Sequence, residues 1–190
     1  MFDGRLVAER FEQGRDFNAF IGTFQDPSWA DRWRQRHEQI TLGDDRRRIV
    51  ESFTRVMHVL CMTGPWCGDC ALQGAAMARI AEANPDRVLL RFLNRDEHPD
   101  LQAMVRVNLG DRVPMTFFMA EDMAPVSLIG DRTLSRYRAM ARKALESSAP
   151  AMGPAQSDPL GEVLGEVLAE FERVHLLLRL SGRLRRLHGD

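Results

Sequence analysis

Nowhere in its 190 residues does this chain carry an apolar run long enough to cross a bilayer. Its N-terminus, Met1-Phe2-Asp3-Gly4-Arg5, is acidic and basic by turns and offers no apolar stretch of a secretion signal. Membrane insertion and export are therefore not expected, and the cytoplasm is the expected location. An excess of charge is missing too: 26 basic residues, of which only Lys143 is lysine, meet 27 acidic ones for a formal net charge of −1. Bulk attraction to nucleic acid or to an anionic membrane is not indicated. Cysteine is scarce, at positions 61, 67 and 70. An odd number without an export signal argues against a stapled extracellular scaffold, and in a reducing compartment a close pair is more often catalytic or metal-binding than structural.

The length and a hydrophobic content of 44% suit one domain with extensions. Residues 5 to 56 read as a helical N-terminal extension, spanning 1–56, that covers something else. Asp26-Pro27 supplies a cap and a first-turn proline ahead of Trp29, Trp33, His37 and Ile40 at helical spacing, and a second stripe follows Asp44 at Ile49, Val50, Phe53 and Val56. Both tryptophans read as core.

The period then changes. Met57 to Met62 is a nearly continuous apolar run, as a buried strand would be, and Thr63-Gly64-Pro65 breaks it. A helix rich in strong formers runs from Cys67 to about Asn84-Pro85, followed by a second strand, Val88 to Leu93. Asp96 to Asn108 reads as a further helix closing at Gly110. Met115 to Met119 and Val126 to Ile129 flank the turn Glu121 to Pro125, a hairpin signal, and Thr133 to Glu146 reads as helix. Residues 57–146 thus describe an α/β sandwich with a mixed sheet.

Residues 147–158, rich in Pro, Ala, Ser and Gly without period, read as a linker. The segment 159–190 reads as one amphipathic helix with Val163, Val167, Phe171, Val174 and Leu178 in a stripe. That stripe must be covered by the same chain or by a partner, which would make a homodimer through this helix. The Gly161 and Gly165 spacing reads as close packing.

Trp66-Cys67-Gly68-Asp69-Cys70 stands between a strand and a helix. Disulfide exchange needs that placement, because unpaired amides at a helix start lower a cysteine pKa and make thiolate available near neutral pH. Cys67 is the expected attacking thiol and Cys70 the resolving one. Half of a zinc site is the main alternative, although a tetrahedral site needs four ligands and only Cys61 and scattered histidines are on offer. Cys61 reads as a small core residue, and His37, His58 and His98 as structural or solvated.

The order of elements, this motif and Val113-Pro114 before a strand together resemble the thioredoxin superfamily. Similarity is closest to a bacterial thioredoxin-like subfamily with a helical N-terminal region and a Cys-Gly-Asp-Cys motif, and Leu93 to Glu97 and Gly110 to Pro114 are similar as well. The resemblance implies a thioredoxin-like three-layer sandwich over residues 57–146. It implies a cis Pro114 packed against the cysteine pair, a backbone contact to substrate at Val113, and Trp66 beside the thiol. Two departures stand out. Thioredoxin has a buried aspartate six residues before the first cysteine, where this chain has Cys61, and a proline where it has Asp69. Asp69 is a candidate for proton transfer, or simply a helix-start carboxylate.

The expected activity is thiol-disulfide oxidoreduction on protein or low-molecular-weight disulfides, with electrons from an upstream reductase or thiol and with no metal or organic cofactor implied. The alternatives are a binding module on the same scaffold, docking a partner or dimerising through its added helices, and a redox sensor.

Overall fold

The computed structural model describes residues 2–145, 153 and 158–190. At its centre lie β1 (Met57–Thr63), β2 (Val88–Asn94), β3 (Met115–Met119) and β4 (Pro125–Gly130), in the order β2-β1-β3-β4. β1 and β2 are parallel, joined through α5 (Gly68–Ala83), whereas β3 is antiparallel to both β1 and β4. A mixed sheet is the consequence of that connectivity: parallel neighbours need a long crossover, while the short turn after Met119 joins antiparallel ones directly.

Alternation along β1 and β3 divides the apolar side chains between two cores. Val59, Cys61 and Phe118 face a layer built from α2 (Phe17–Ile21), α3 (Pro27–Gln39), α4 (Asp44–Glu51), α5 and α8 (Pro159–Leu180). Leu60, Met62, Phe117 and Met119 face the other layer, with α1 (Gly4–Gln13) and α6 (Pro99–Met104). This is the expected α/β, thioredoxin-like three-layer sandwich.

The N-terminal helices start where aspartates cap them. Asp3 accepts from the Arg5 and Leu6 amides, Asp16 from Ala19, and Asp26 from Ser28 just ahead of Pro27. Between α1 and α2, Arg15 exchanges both backbone hydrogen bonds with Phe92 at 3.0 and 2.7 Å, which shields part of the β2 edge.

Two expectations need correction. The helix read over 96–108 is a 3-10 turn, Arg95–Glu97, followed by the six residues of α6. The chain then reverses tightly, with Val107 bridged to Gly110 and positive φ at Asn108 (49°) and Leu109 (61°), a geometry that a helix cannot contain. The segment 159–190 is not one helix: α8 stops at Ser181, whose side chain accepts from the Leu184 amide and so caps α9 (Gly182–His188). The α8 stripe of Val163, Val167, Phe171, Val174 and Leu178 is buried within its own chain, largely against α5. No partner copy is needed to cover it. Gly161 is closely packed, since a Cβ there would overlap the Asp158 carboxylate, whereas a Cβ on Gly165 would meet only the end of the Arg46 side chain in ordinary contact. Apart from Gly153 and Asp158, the linker lies outside the described residues. The final helix of the sheet domain is α7 (Leu134–Leu145). Among the described residues, no helix is long and apolar enough to cross a membrane.

Candidate active site

β1 ends at Thr63, and Gly64-Pro65-Trp66 turns the chain into α5. Gly64 lies under the Trp66 indole, where a Cβ would stand 2.9 Å from ring carbons. The carbonyls of this turn are gripped from α3: Trp33 Nε1 donates to Pro65 O at 3.1 Å and Arg32 Nη1 to Trp66 O at 2.9 Å. Trp33 is fully buried among Phe17, Phe20, Phe24 and Phe92, so the anchor is rigid. The N-terminal extension therefore fixes the site loop as well as covering the core. Trp29 is only partly buried. Trp66 is a surface residue, 41% exposed, with the Arg95 guanidinium 5.1 Å from its ring centroid.

Cys67 is the N-cap of α5, half-buried, with extended backbone (φ −82°, ψ 122°). Its Sγ accepts from the Cys70 amide at 3.3 Å. Cys70, one turn into the helix, is fully buried, and its Sγ accepts from the Gly64 amide at 3.5 Å. Both are free thiols, as is Cys61.

These placements split the acidities. The Cys67 thiol is lowered to about 6, chiefly because the Cys70 thiol donates to it. Partial burial opposes this, the Cys70 and Asp69 amides add to it, and the Asp69 charge opposes it. Cys70 is pushed well above the ordinary thiol value by burial, by its donated hydrogen bond to Cys67 and by the charge on that sulfur. Burial pushes Cys61 up to about 12 even though the Thr116 hydroxyl donates to it at 3.6 Å. A thiol of that acidity stays neutral near pH 7 and unreactive.

The second segment at the site is Val113-Pro114. Their peptide bond is cis, both residues are buried, and the Val113 carbonyl lies 3.9 Å from Cys67 Sγ. Of the six residues expected at the site, the structure brings Cys67, Cys70, Val113 and Pro114 together at the sulfurs, with Trp66 alongside.

Asp69 is nearby but not free. It is 9% exposed, and its two oxygens accept from Arg132 Nε at 2.6 Å and Arg136 Nε at 2.7 Å. The geometry makes it an anchored carboxylate, held by two guanidinium groups at the start of the helix.

Sequence reasoning did not find Arg32, Trp33, Arg95, Arg132 or Arg136. The two arginines on Asp69 lie 63 and 67 residues away along the chain, and no local spacing signals such a pairing. The histidines stay outside the site. His37 Nε2 pairs with Glu82 at 2.7 Å and His58 Nδ1 bonds to Ala120 O at 3.1 Å. Among the described residues no group of three or more His, Cys, Asp or Glu is placed to hold a metal ion.

A model of the Thioredoxin_9 family, described as thioredoxin, matches residues 14–143. No curated protein matches the chain. Among solved structures, a protein of unknown function from Pseudomonas aeruginosa is similar with a TM-score of 0.64 and 22% identity, over 87% of this chain and 96% of that one. An HIV epitope-scaffold is similar with a TM-score of 0.60 and 22% identity, over 87% of this chain and 97% of that one. Likeness at that level of identity is one of fold alone. The family match takes in the whole sheet, the cysteine pair and Pro114, and leaves α8 and α9 outside it. With that match running through more than half of its length, this chain belongs to the Thioredoxin_9 family.

Proposed function

We propose that the protein is a thiol-disulfide oxidoreductase working through Cys67 and Cys70. The observation that carries this reading is the split between the two thiols: an outer, acidic Cys67 at the helix N-cap over a buried, protonated Cys70 that donates to it. A scaffold kept only for docking leaves that arrangement unexplained.

In the proposed reaction the Cys67 thiolate attacks one sulfur of a substrate disulfide. A bond forms between Cys67 and that sulfur, the substrate S–S bond breaks, and the departing thiolate takes a proton from water. The Cys70 thiol then gives up its proton and attacks Cys67 Sγ, expelling the second substrate sulfur as a thiol. Two electrons have passed to the substrate and a Cys67–Cys70 disulfide remains, which an upstream reductase or a low-molecular-weight thiol returns to the dithiol. The Val113 carbonyl faces the attacking sulfur, so an extended substrate lies along this segment with Trp66 at its side. The proposed setting is a reducing compartment such as the cytoplasm, with protein or low-molecular-weight disulfides as substrates.

The test is the equilibrium of the pair against glutathione and dithiothreitol buffers, read by alkylation and mass, together with insulin reduction. A reversible two-electron transition with turnover is expected, absent in Cys67→Ser, and Cys70→Ser should hold partners as mixed disulfides. A pair that never forms a disulfide, or that forms one without turnover, defeats the reading.

A further inference from the structure

A carboxylate inside the motif is an awkward neighbour for a thiolate. Asp69 opposes ionisation of Cys67 by its charge, an influence that ranks behind the hydrogen bonds and the burial acting on that thiol. Yet Asp69 is not left bare. Arg132, just before α7, and Arg136, in its first turn, each aim Nε at one of its oxygens. Arg132 also donates to the buried Asp131 at 3.0 Å through Nη1, and Asp131 accepts in addition from Arg112 at 3.3 Å and from the Tyr137 hydroxyl. The start of α7 is itself held from α8: the Ser135 amide donates to Glu166 Oε1 at 3.0 Å and Oε2 at 3.2 Å, and the Ser135 hydroxyl donates to Oε2 at 3.2 Å. The stretch that carries both arginines is therefore tied to α8 at Ser135 and to the active-site helix at Asp69.

We propose that Arg132 and Arg136 form a charge clamp on Asp69 that keeps Cys67 in its reactive thiolate form, and that Glu166 on α8 holds the clamp in place. These three are positioning residues, none of which touches the sulfur. The two arginines lie within the family match over residues 14–143, whereas Glu166, which holds the start of α7 in place, lies beyond it. The catalytic meaning of the clamp rests on the exchange reading above, whereas the acidity of Cys67 can be measured whether or not the pair turns over. The other ionisable groups around the site are Cys70 and Cys61 beneath it, Arg32 on the Trp66 carbonyl, Arg95 on the Trp66 ring, and the Asp131, Arg112 and Tyr137 group behind Arg132.

The experiment is the rate of iodoacetamide reaction at Cys67 in the reduced full chain between pH 4.5 and 9. Arg132→Gln with Arg136→Gln is expected to raise the apparent pKa by about one unit, about tenfold slower alkylation at low pH. Adding Asp69→Asn to that double variant should bring the pKa back towards the wild-type value, a rescue that a merely structural role for the arginines would not give. The Arg132→Lys, Arg136→Lys pair should stay near wild type. Glu166→Ala should raise the pKa in the same direction, by a smaller step that Asp69→Asn again removes. Thermal melts of each variant identify any that have unfolded, and for those the lysine pair decides. No rise in the glutamine pair, or a rise that Asp69→Asn leaves in place, overturns the clamp; no rise in Glu166→Ala overturns the part assigned to α8. Wild-type protein that reduces no insulin, although its Cys67 acidity depends on the clamp as expected, would instead count against the exchange reading and leave the clamp standing.

Discussion

Cys67 and Cys70 are the same residue type in one helical turn, and the fold pushes their acidities apart by giving one the helix end and the other the interior. The largest cause of the Cys67 lowering is a single donor, the Cys70 thiol. Reduced protein should therefore alkylate at Cys67 with a half-maximal rate near pH 6, since only thiolate reacts and deprotonation is complete above the folded pKa. In Cys70→Ala that donor is gone, and the midpoint should move up by about a unit or more, about tenfold slower reaction at pH 6. An unmoved midpoint in this variant would mean that the amides at the helix start suffice. In the proposed exchange the same stabilised thiolate would favour the dithiol form and so make the disulfide more oxidising than that of an ordinary pair. At position 61, the neutral thiol bonded to Thr116 supplies no carboxylate to take the Cys70 proton, so in the proposed resolving step that proton would pass to the departing sulfur or to solvent.

Among the elements, α3 and α5 show how a site loop is tied to a distant segment. Their close approach depends on Gly74, where a Cβ would stand 2.5 Å from the Trp33 ring. Gly74→Ala must push Trp33 away from α5, and with it the hydrogen bond to Pro65 O that precedes Cys67. Overpacking of this kind costs roughly 1–3 kcal/mol, so a urea midpoint below that of wild type is expected, together with slower insulin reduction. Unchanged stability would show that α3 can shift freely. The sheet, the hairpin and the helix after the motif were all legible in the sequence, because period and turn residues act locally. The end of α6 was not, since no glycine or proline marks Met104 to Arg106 and the reversal at Asn108 and Leu109 is set by the Val107 to Gly110 bridge. Cys67, Cys70 and Pro114 were readable from the motif and the family resemblance. Trp33, Arg132 and Arg136 were not, because a side chain that bonds across more than thirty residues leaves no mark in spacing.

At the scale of the whole molecule, α8 is the strut that binds the layers together. Its residues reach α4 through Arg46 on Gly161, β4 through Ser127 on Glu170 at 2.6 Å, α7 through Glu166 and β3 through the Phe118–Phe171 ring contact at 5.1 Å. It also reaches the loop before β1, where the Thr54 amide donates to His175 Nε2 at 3.0 Å and Phe53 stacks on the same ring at 4.5 Å. To accept that bond the imidazole must be neutral. Burial holds its pKa below the ordinary value, and the nearby charges of Arg179 and Arg55 lower it further. A folded pKa below the unfolded 6.5 means that the stability from this group is fully present above pH 6.5 and is lost as pH falls through the folded value. The reduced Cys67 would add its own dependence in the same direction, its stability falling from pH 9 towards 6, so the measurement belongs on the oxidised form, in which that thiol does not titrate. Urea unfolding of oxidised wild type should then weaken between pH 7 and 5, whereas His175→Phe, less stable at pH 7 for want of an acceptor to Thr54, should lose less over the same interval. Parallel curves for the two proteins would place the acid sensitivity elsewhere than at the α8 strut.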